Sequence, residues 1–150
     1  MASPSLHPIF LFDFDGTLAN SLRVTLDAFK YAVQAITGTA VNDEDVLRHF
    51  GGGELSILQT ILGPEKGQQA YAIYREQAVA RAAQMPLHEG IVEVLNSLKS
   101  RNVRMGIVTG RGADSLAVLL DYHQLHSPFE VIVAYDDVGI SKPDPPRLNL

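Results

Sequence analysis

Two carboxylates stand one residue apart at the end of an apolar run. Ile9, Phe10, Leu11 and Phe12 lead into Asp13, Phe14, Asp15, Gly16 and Thr17. Close carboxylates resist ionising together unless a cation joins them or one keeps its proton. Both outcomes have chemical uses. A hard cation such as Mg²⁺ takes carboxylate, carbonyl and phosphate oxygens, and a carboxylate can attack phosphorus to form an aspartyl-phosphate. The plainer reading is a polar turn after a strand, because Asp and Gly are common turn residues. Two further stations lie downstream. Thr109 and Gly110 offer a hydroxyl and a closely approachable amide, donors of the kind that glycine turns and helix starts present to phosphate. Taken alone, Thr109 reads equally well as a strand-end residue or a helix cap. Lys142, before the stiffening Pro143, offers a fixed cation of the kind that stabilises charge spread over a transferring phosphoryl group. It could also hold Asp13 ionised.

Each station follows an apolar run. Residues 9–12, 103–108 and 130–135 are short and rich in Ile, Val and Phe, the pattern of strands buried on both faces of a parallel sheet. Helical spacing over residues 90–99 and 113–124 precedes the second and third strands respectively. Strand–helix alternation predicts an α/β fold with a doubly wound parallel sheet. In such sheets ligands bind just outside the carboxyl ends of the strands, where Asp13, Asp15, Thr109 and Gly110 fall.

The segment between the first two strands is too long for a simple crossover, which takes one helix and roughly a dozen residues or more. Asn20-Ser21 is a helix start signal. Leu22, Leu26, Phe29, Val33 and Ile36 then make one amphipathic stripe, closed near Gly38. Asn42 is placed to cap a short second helix carrying Val46, Leu47 and Phe50. Leu55, Leu58, Ile61 and Leu62 mark a third, closed by Gly63-Pro64, and residues 65–84 read as a fourth. Residues 20–85 are therefore expected to form an inserted helical cap, with residues 1–19 and 86–150 as the α/β core. Gly51-Gly52-Gly53 has no strand leading into it, so it reads as a hinge or cap loop rather than a phosphate cradle.

Length and charge bound the rest. The chain has 150 residues, no cysteine and a formal net charge of −5, which fits one domain or a core with an insertion. It carries no basic stripe, arguing against a nucleic-acid partner. The first eight residues, Met-Ala-Ser-Pro-Ser-Leu-His-Pro, lack the charge and apolar core of a signal peptide. No apolar run reaches the ~20 residues that span a bilayer, so no membrane partner is expected. Absence of cysteine suits a reducing compartment, and a cytoplasmic location is the expectation. His7, His49, His88, His123 and His126 show no metal-ligand spacing. Nothing in the sequence speaks to oligomeric state.

The stretch from Asp13 to Thr17 resembles the first motif, DxDGT, of the haloacid dehalogenase-like hydrolases. Val108-Thr109-Gly110-Arg111 resembles the second motif, and Gly139-Ile140-Ser141-Lys142-Pro143 the third. The likeness spans Ile9 to Pro145, and the helical insertion matches a cap-bearing, phosphoglycolate phosphatase-like branch. The resemblance implies that Asp13 is the nucleophile and Asp15 the general acid/base. It implies that Phe14, Thr17, Thr109, Gly110 and Lys142 hold the phosphate. It also implies Mg²⁺ as cofactor, bound by the Asp13 side chain and the Asp15 backbone carbonyl, and a small phosphorylated metabolite as substrate. The family's fourth motif, an acidic loop after a further strand, has no counterpart, so the chain is expected to be truncated before it. Asp136 and Asp137 precede Lys142 and do not fill that motif.

Three other readings compete. A phosphomutase shares the motifs and the cap. A receiver-type signalling domain also uses Asp, Thr and Lys at strand ends, but it places its acceptor after the third strand and has no helical insertion. A catalytically impaired fragment would keep the fold's first half without the acidic loop.

Overall fold

The apolar run Ile9–Phe12 forms strand β1, which pairs in parallel with β2 (Arg104–Val108), with Phe12 opposite Ile107. On its other side β2 pairs in parallel with β3 (Val131–Val133), with Val108 opposite Val133. The sheet order is thus β1-β2-β3. These relations come from a computed structural model, which describes residues 9–139. At the centre of β2, Gly106 leaves room for its neighbours: a Cβ there would lie 2.6 Å from Val131 Cγ1 and 3.0 Å from Leu11 Cδ2.

The expected burial holds for β2, whose Met105, Ile107 and Val108 are buried. It fails for β1, where Ile9 is 38% exposed and Phe10 and Leu11 are each 46% exposed. The reason is position. β1 is an edge strand among the described residues, so its apolar side chains find partners on one side only. The third strand is also shorter than expected. It stops at Val133, and Tyr135–Val138 forms a single helical turn, where the sequence reading placed the strand's end and a polar loop. Asp137 starts this turn by accepting from the Ala134 amide at 2.7 Å.

Between β1 and β2 the chain is helical: α1 (Leu22–Thr37), α2 (Asp43–Leu47), α3 (Glu54–Leu62) and α4 (Pro64–Ala80), then a 3-10 turn at Ala82–Gln84. α1 ends at Gly38, whose left-handed conformation (φ 72°) lets its amide reach Gln34 O. α2 starts with a reciprocal cap, Asp45 N to Asn42 Oδ1 at 2.9 Å and Asn42 N to Asp45 Oδ2 at 3.3 Å. Pro64, expected to close the third helix, instead opens α4 at its first position, where its missing N–H costs nothing. α3 and α4 pack backbone to backbone, since a Cβ on Gly67 would fall 2.5 Å from Gln59 Cα.

After the insertion come α5 (Ile91–Ser100), α6 (Ala113–His123) and the one-turn α7 (Tyr135–Val138). The apolar side chains form two clusters. One, with Phe14, Leu18, Met105, Ile107, Leu116 and Leu119, lies against the sheet. The other, with Leu26, Phe29, Val33, Leu58, Ala70 and Tyr74, lies inside the insertion. Two short linkers join them: Asn20 N donates to Pro86 O (2.8 Å) and His88 N to Leu18 O (2.9 Å). Among the described residues no helix is long and apolar enough to cross a membrane.

Candidate active site

The parallel register brings the first two stations together. Asp13 follows Phe12 directly, and Phe12 pairs with Ile107, two residues before Thr109. Both strands therefore deliver their polar residues at the same end of the sheet. The turn after Asp13 is tight: Leu18 N and Ala19 N both donate to Phe14 O, at 2.9 and 3.0 Å, and Gly16 takes the positive φ (75°) that the turn requires. The Phe14 and Leu18 side chains anchor it in the core, fully buried. The Phe14 amide donates to Asp13 Oδ1 at 2.7 Å, fixing that carboxylate at the strand end.

Asp13, Asp15, Thr109 and Gly110 all line one cleft of about 260 Å³ between the sheet and the insertion. Thr109 is fully buried; its amide donates to Val133 O (2.9 Å) and its Oγ1 accepts from Arg111 N (3.1 Å). Phe14 can offer the site only its backbone. Thr17 is exposed on the turn and is not among the residues lining the cleft, so the structure does not bring it to the other phosphate-site candidates. Lys142 and the rest of the third motif beyond Gly139 lie outside the described residues.

Sequence reasoning missed a buried polar network behind Asp15. The Arg111 side chain is only 2% exposed. Its Nη2 lies 2.6 Å from Asp15 Oδ1 and its Nε 3.0 Å from Asp15 Oδ2. Nη2 also donates to Thr25 Oγ1 (2.8 Å), and Nη1 lies 3.4 Å from Ser115 Oγ and 3.7 Å from Glu54 Oε1. Burial opposes the guanidinium's charge, but Asp15, Tyr74 and Glu54 more than offset this and raise its pKa. Ser21, expected at a helix cap, makes no cap bond; its hydroxyl donates to Asp15 Oδ1.

Glu54, 5% exposed, carries this network from the insertion to the core. It opens α3 and sits against the start of α6. Its Oε2 accepts from Gly112 N at 2.6 Å, and its Oε1 accepts from the Ser115 hydroxyl. A Cβ on Gly112 would lie 2.7 Å from Glu54 Oε2 and would push that carboxylate aside. The buried Tyr74 hydroxyl points at the same carboxylate (3.5 Å), and burial raises its pKa against the opposing charge of Arg111. Arg111 was legible as a cation just past a strand end within Val-Thr-Gly-Arg. Glu54 was not, because an acid in a helix's first turn ordinarily faces water.

The donors suit a hard cation in kind, since Asp13 and the backbone carbonyls beside it offer oxygen alone. Among the described residues, no three His, Cys, Asp or Glu side chains gather into a metal-holding group.

The chain is similar to known proteins in sequence and in fold. A family profile described as haloacid dehalogenase-like hydrolase matches residues 10–150. The pyrophosphatase PpaX of Listeria monocytogenes is 28% identical over 142 residues, covering 93% of this chain and 65% of that protein. The chain thus spans 65% of the length of that curated relative. Among solved structures, a hydrolase from Pseudomonas syringae is 26% identical with a TM-score of 0.77, over 93% of this chain and 66% of that one. A predicted phosphoglycolate phosphatase from Haemophilus somnus superposes with a TM-score of 0.80 at 17% identity, over 97% and 70%.

Proposed function

Since the chain belongs to the haloacid dehalogenase-like hydrolase family, we propose that it hydrolyses a small phosphomonoester through an aspartyl-phosphate on Asp13. One observation carries this reading: Asp13 and the Thr109–Gly110 pair open on the same cleft from adjacent parallel strands. A carboxylate nucleophile and phosphate-binding donors have to converge in this way for in-line attack.

In this reading an Asp13 carboxylate oxygen attacks phosphorus as the ester P–O bond breaks. The leaving oxygen takes a proton from Asp15. Water then attacks phosphorus, gives a proton back to Asp15, and releases phosphate and the Asp13 carboxylate. Asp15 is held by Arg111 and Ser21, so its carboxyl group has to turn from that clamp to reach the leaving oxygen. Thr109, Gly110 and the Phe14 backbone hold the phosphoryl oxygens, together with Lys142. Mg²⁺ would be held by the Asp13 carboxylate and the Asp15 backbone carbonyl, and when bound it would neutralise charge on the phosphoryl oxygens.

The two apolar clusters support a division into a core of residues 1–19 and 86–150 and a cap of residues 20–85, with Ala82 and Met85 at the end of the cap packing into the core cluster. The expected partner is a small phosphorylated metabolite in the cytoplasm, and a phosphomutase of the same family is the nearest alternative.

The test is phosphate release from an aryl phosphate with Mg²⁺. Asp13→Asn removes the anionic nucleophile and is expected to abolish turnover. Activity within about tenfold of the parent would sink the assignment, since nucleophile removal ordinarily costs orders of magnitude more. A transferred rather than released phosphoryl group would identify the mutase.

A further inference from the structure

The cleft wall contributed by the insertion is almost wholly apolar. Leu22, Phe29, Phe50 and Ile57 line it, with Gly51, Gly52 and Thr25. The rings of Phe29 and Phe50 lie 5.9 Å apart, and Phe50 is 37% exposed. The only charged side chain from residues 20–85 that lines the cleft is the carboxylate of Glu54. None of the Lys or Arg residues between positions 20 and 85 lines it, and all of those residues lie within the described chain. Arg23 and Lys30 pair with Asp27 and Asp43, Arg48 with Asp45, and Arg75 with Asp114. Arg111 comes from the core and spends its nitrogens on Asp15, Thr25, Ser115 and Glu54.

From this wall we infer the substrate class: a phosphomonoester whose leaving group is small, uncharged and apolar or aromatic. The inference rests on the hydrolase reading above. A leaving group with a second anion, such as a carboxylate or another phosphate, would lose its hydration against Phe50, Phe29 and Ile57 and gain no cation from the described residues of that wall. Burying an unpaired charge is costly. An apolar group loses little and gains burial. The cleft's size agrees: at about 260 Å³ it falls below the roughly 300–1,000 Å³ of pockets for drug-sized ligands. Specificity here comes from the absence of a counter-charge in the wall as much as from attraction to the ring.

The experiment pairs turnover with binding on the full chain. Phenyl phosphate is compared with 2-phosphoglycolate and pyrophosphate by phosphate release with Mg²⁺. Phenylphosphonate, which cannot be hydrolysed, is compared with phosphonoacetate by titration calorimetry. Phenyl phosphate is expected to exceed both compounds with a second anionic group about tenfold or more in kcat/KM, and phenylphosphonate to bind more tightly than phosphonoacetate by a similar factor, the scale of discrimination an apolar pocket reaches. Phe50→Lys, which adds a cation to the wall, is expected to shift preference toward phosphonoacetate. Preference for the second-anion compounds in the parent chain would overturn the inference, and so would failure of phenylphosphonate to bind. Selective binding of phenylphosphonate with no ester hydrolysed would leave the inference standing and refute the hydrolase reading.

Discussion

The guanidinium of Arg111 grips the carboxylate of Asp15 at two points, Nη2 on Oδ1 at 2.6 Å and Nε on Oδ2 at 3.0 Å. The pair joins the second strand's loop to the first strand's turn. Arg111 then continues to Thr25 and Glu54, so one buried cation holds both core loops and the insertion. Arginine suits the role because its planar fork meets a carboxylate bidentately, which lysine cannot do.

Removing that cation takes the guanidinium away from both Asp15 and Glu54. Arg111→Met is expected to cost about 3 kcal/mol of unfolding free energy, the low end for breaking a buried pair, because Asp15 is itself 29% exposed. Arg111→Lys should recover only part of the loss. Urea unfolding measures both, and a loss below about 1 kcal/mol for Arg111→Met would show that the pair behaves as a surface bridge.

The insertion's seat on the core is tested at Gly53. A Cβ there would lie 3.0 Å from Tyr135 Cγ and closer still to Cδ1. Gly53→Ala should therefore overpack the contact and cost about 1–3 kcal/mol. Tyr135→Ala removes the obstacle, so the double variant should be more stable than the sum of single losses predicts. Strict additivity in the cycle would mean that Gly53 and Tyr135 do not meet in solution.

Alkaline stability follows from Tyr71, whose pKa is pushed up to about 12, first by burial and then by the charge of Glu54. The folded protein thus holds the phenol proton more tightly than the unfolded chain, whose tyrosines titrate near 10. The contribution is fully present below pH ~10 and is lost as pH rises toward ~12. Tyr74, raised mainly by burial, adds loss of the same sign. Unfolding midpoints should fall across this window, and Tyr71→Phe should make the fall shallower. An unchanged slope in that variant would place the titrating group elsewhere.

Local rules made much of this architecture legible. The apolar runs located three strands, and the Asn42 cap and the Gly38 terminus followed from their own chemistry. Asp13 and Thr109 were readable because each ends a strand. What stayed hidden depends on contacts distant in sequence. Glu54 reaches Gly112 and Ser115, and Arg111 reaches Asp15 across 96 positions. No periodicity encodes such partners. Asn20-Ser21 did mark the start of α1, but a nearby carboxylate takes the Ser21 hydroxyl in place of the cap bond. Thr17 lies on the exposed side of a turn whose orientation is set by the burial of Phe14 and Leu18.

The exposed edge of β1 carries the last expectation. Ile9, Phe10 and Leu11 are large, apolar and 38–46% exposed, and Phe10 stacks on Phe12, with centroids 6.5 Å apart. No strand pairs with that edge among the described residues. An apolar strand edge without Lys, Pro or a bulge is a template for pairing with another chain. Leaving large apolar side chains in water forfeits roughly 1.5–3 kcal/mol each, a considerable part of the ~5–15 kcal/mol that stabilises a typical domain. The 150-residue chain is therefore expected to self-associate or to unfold with weak cooperativity. Phe10→Lys places a charge on the edge without touching the cleft and should shift the population toward monomer. Size-exclusion chromatography across a concentration series, followed by thermal unfolding, reads both effects. A parent chain that stays monomeric and melts sharply, with Phe10→Lys eluting identically, would show that this edge is protected in solution.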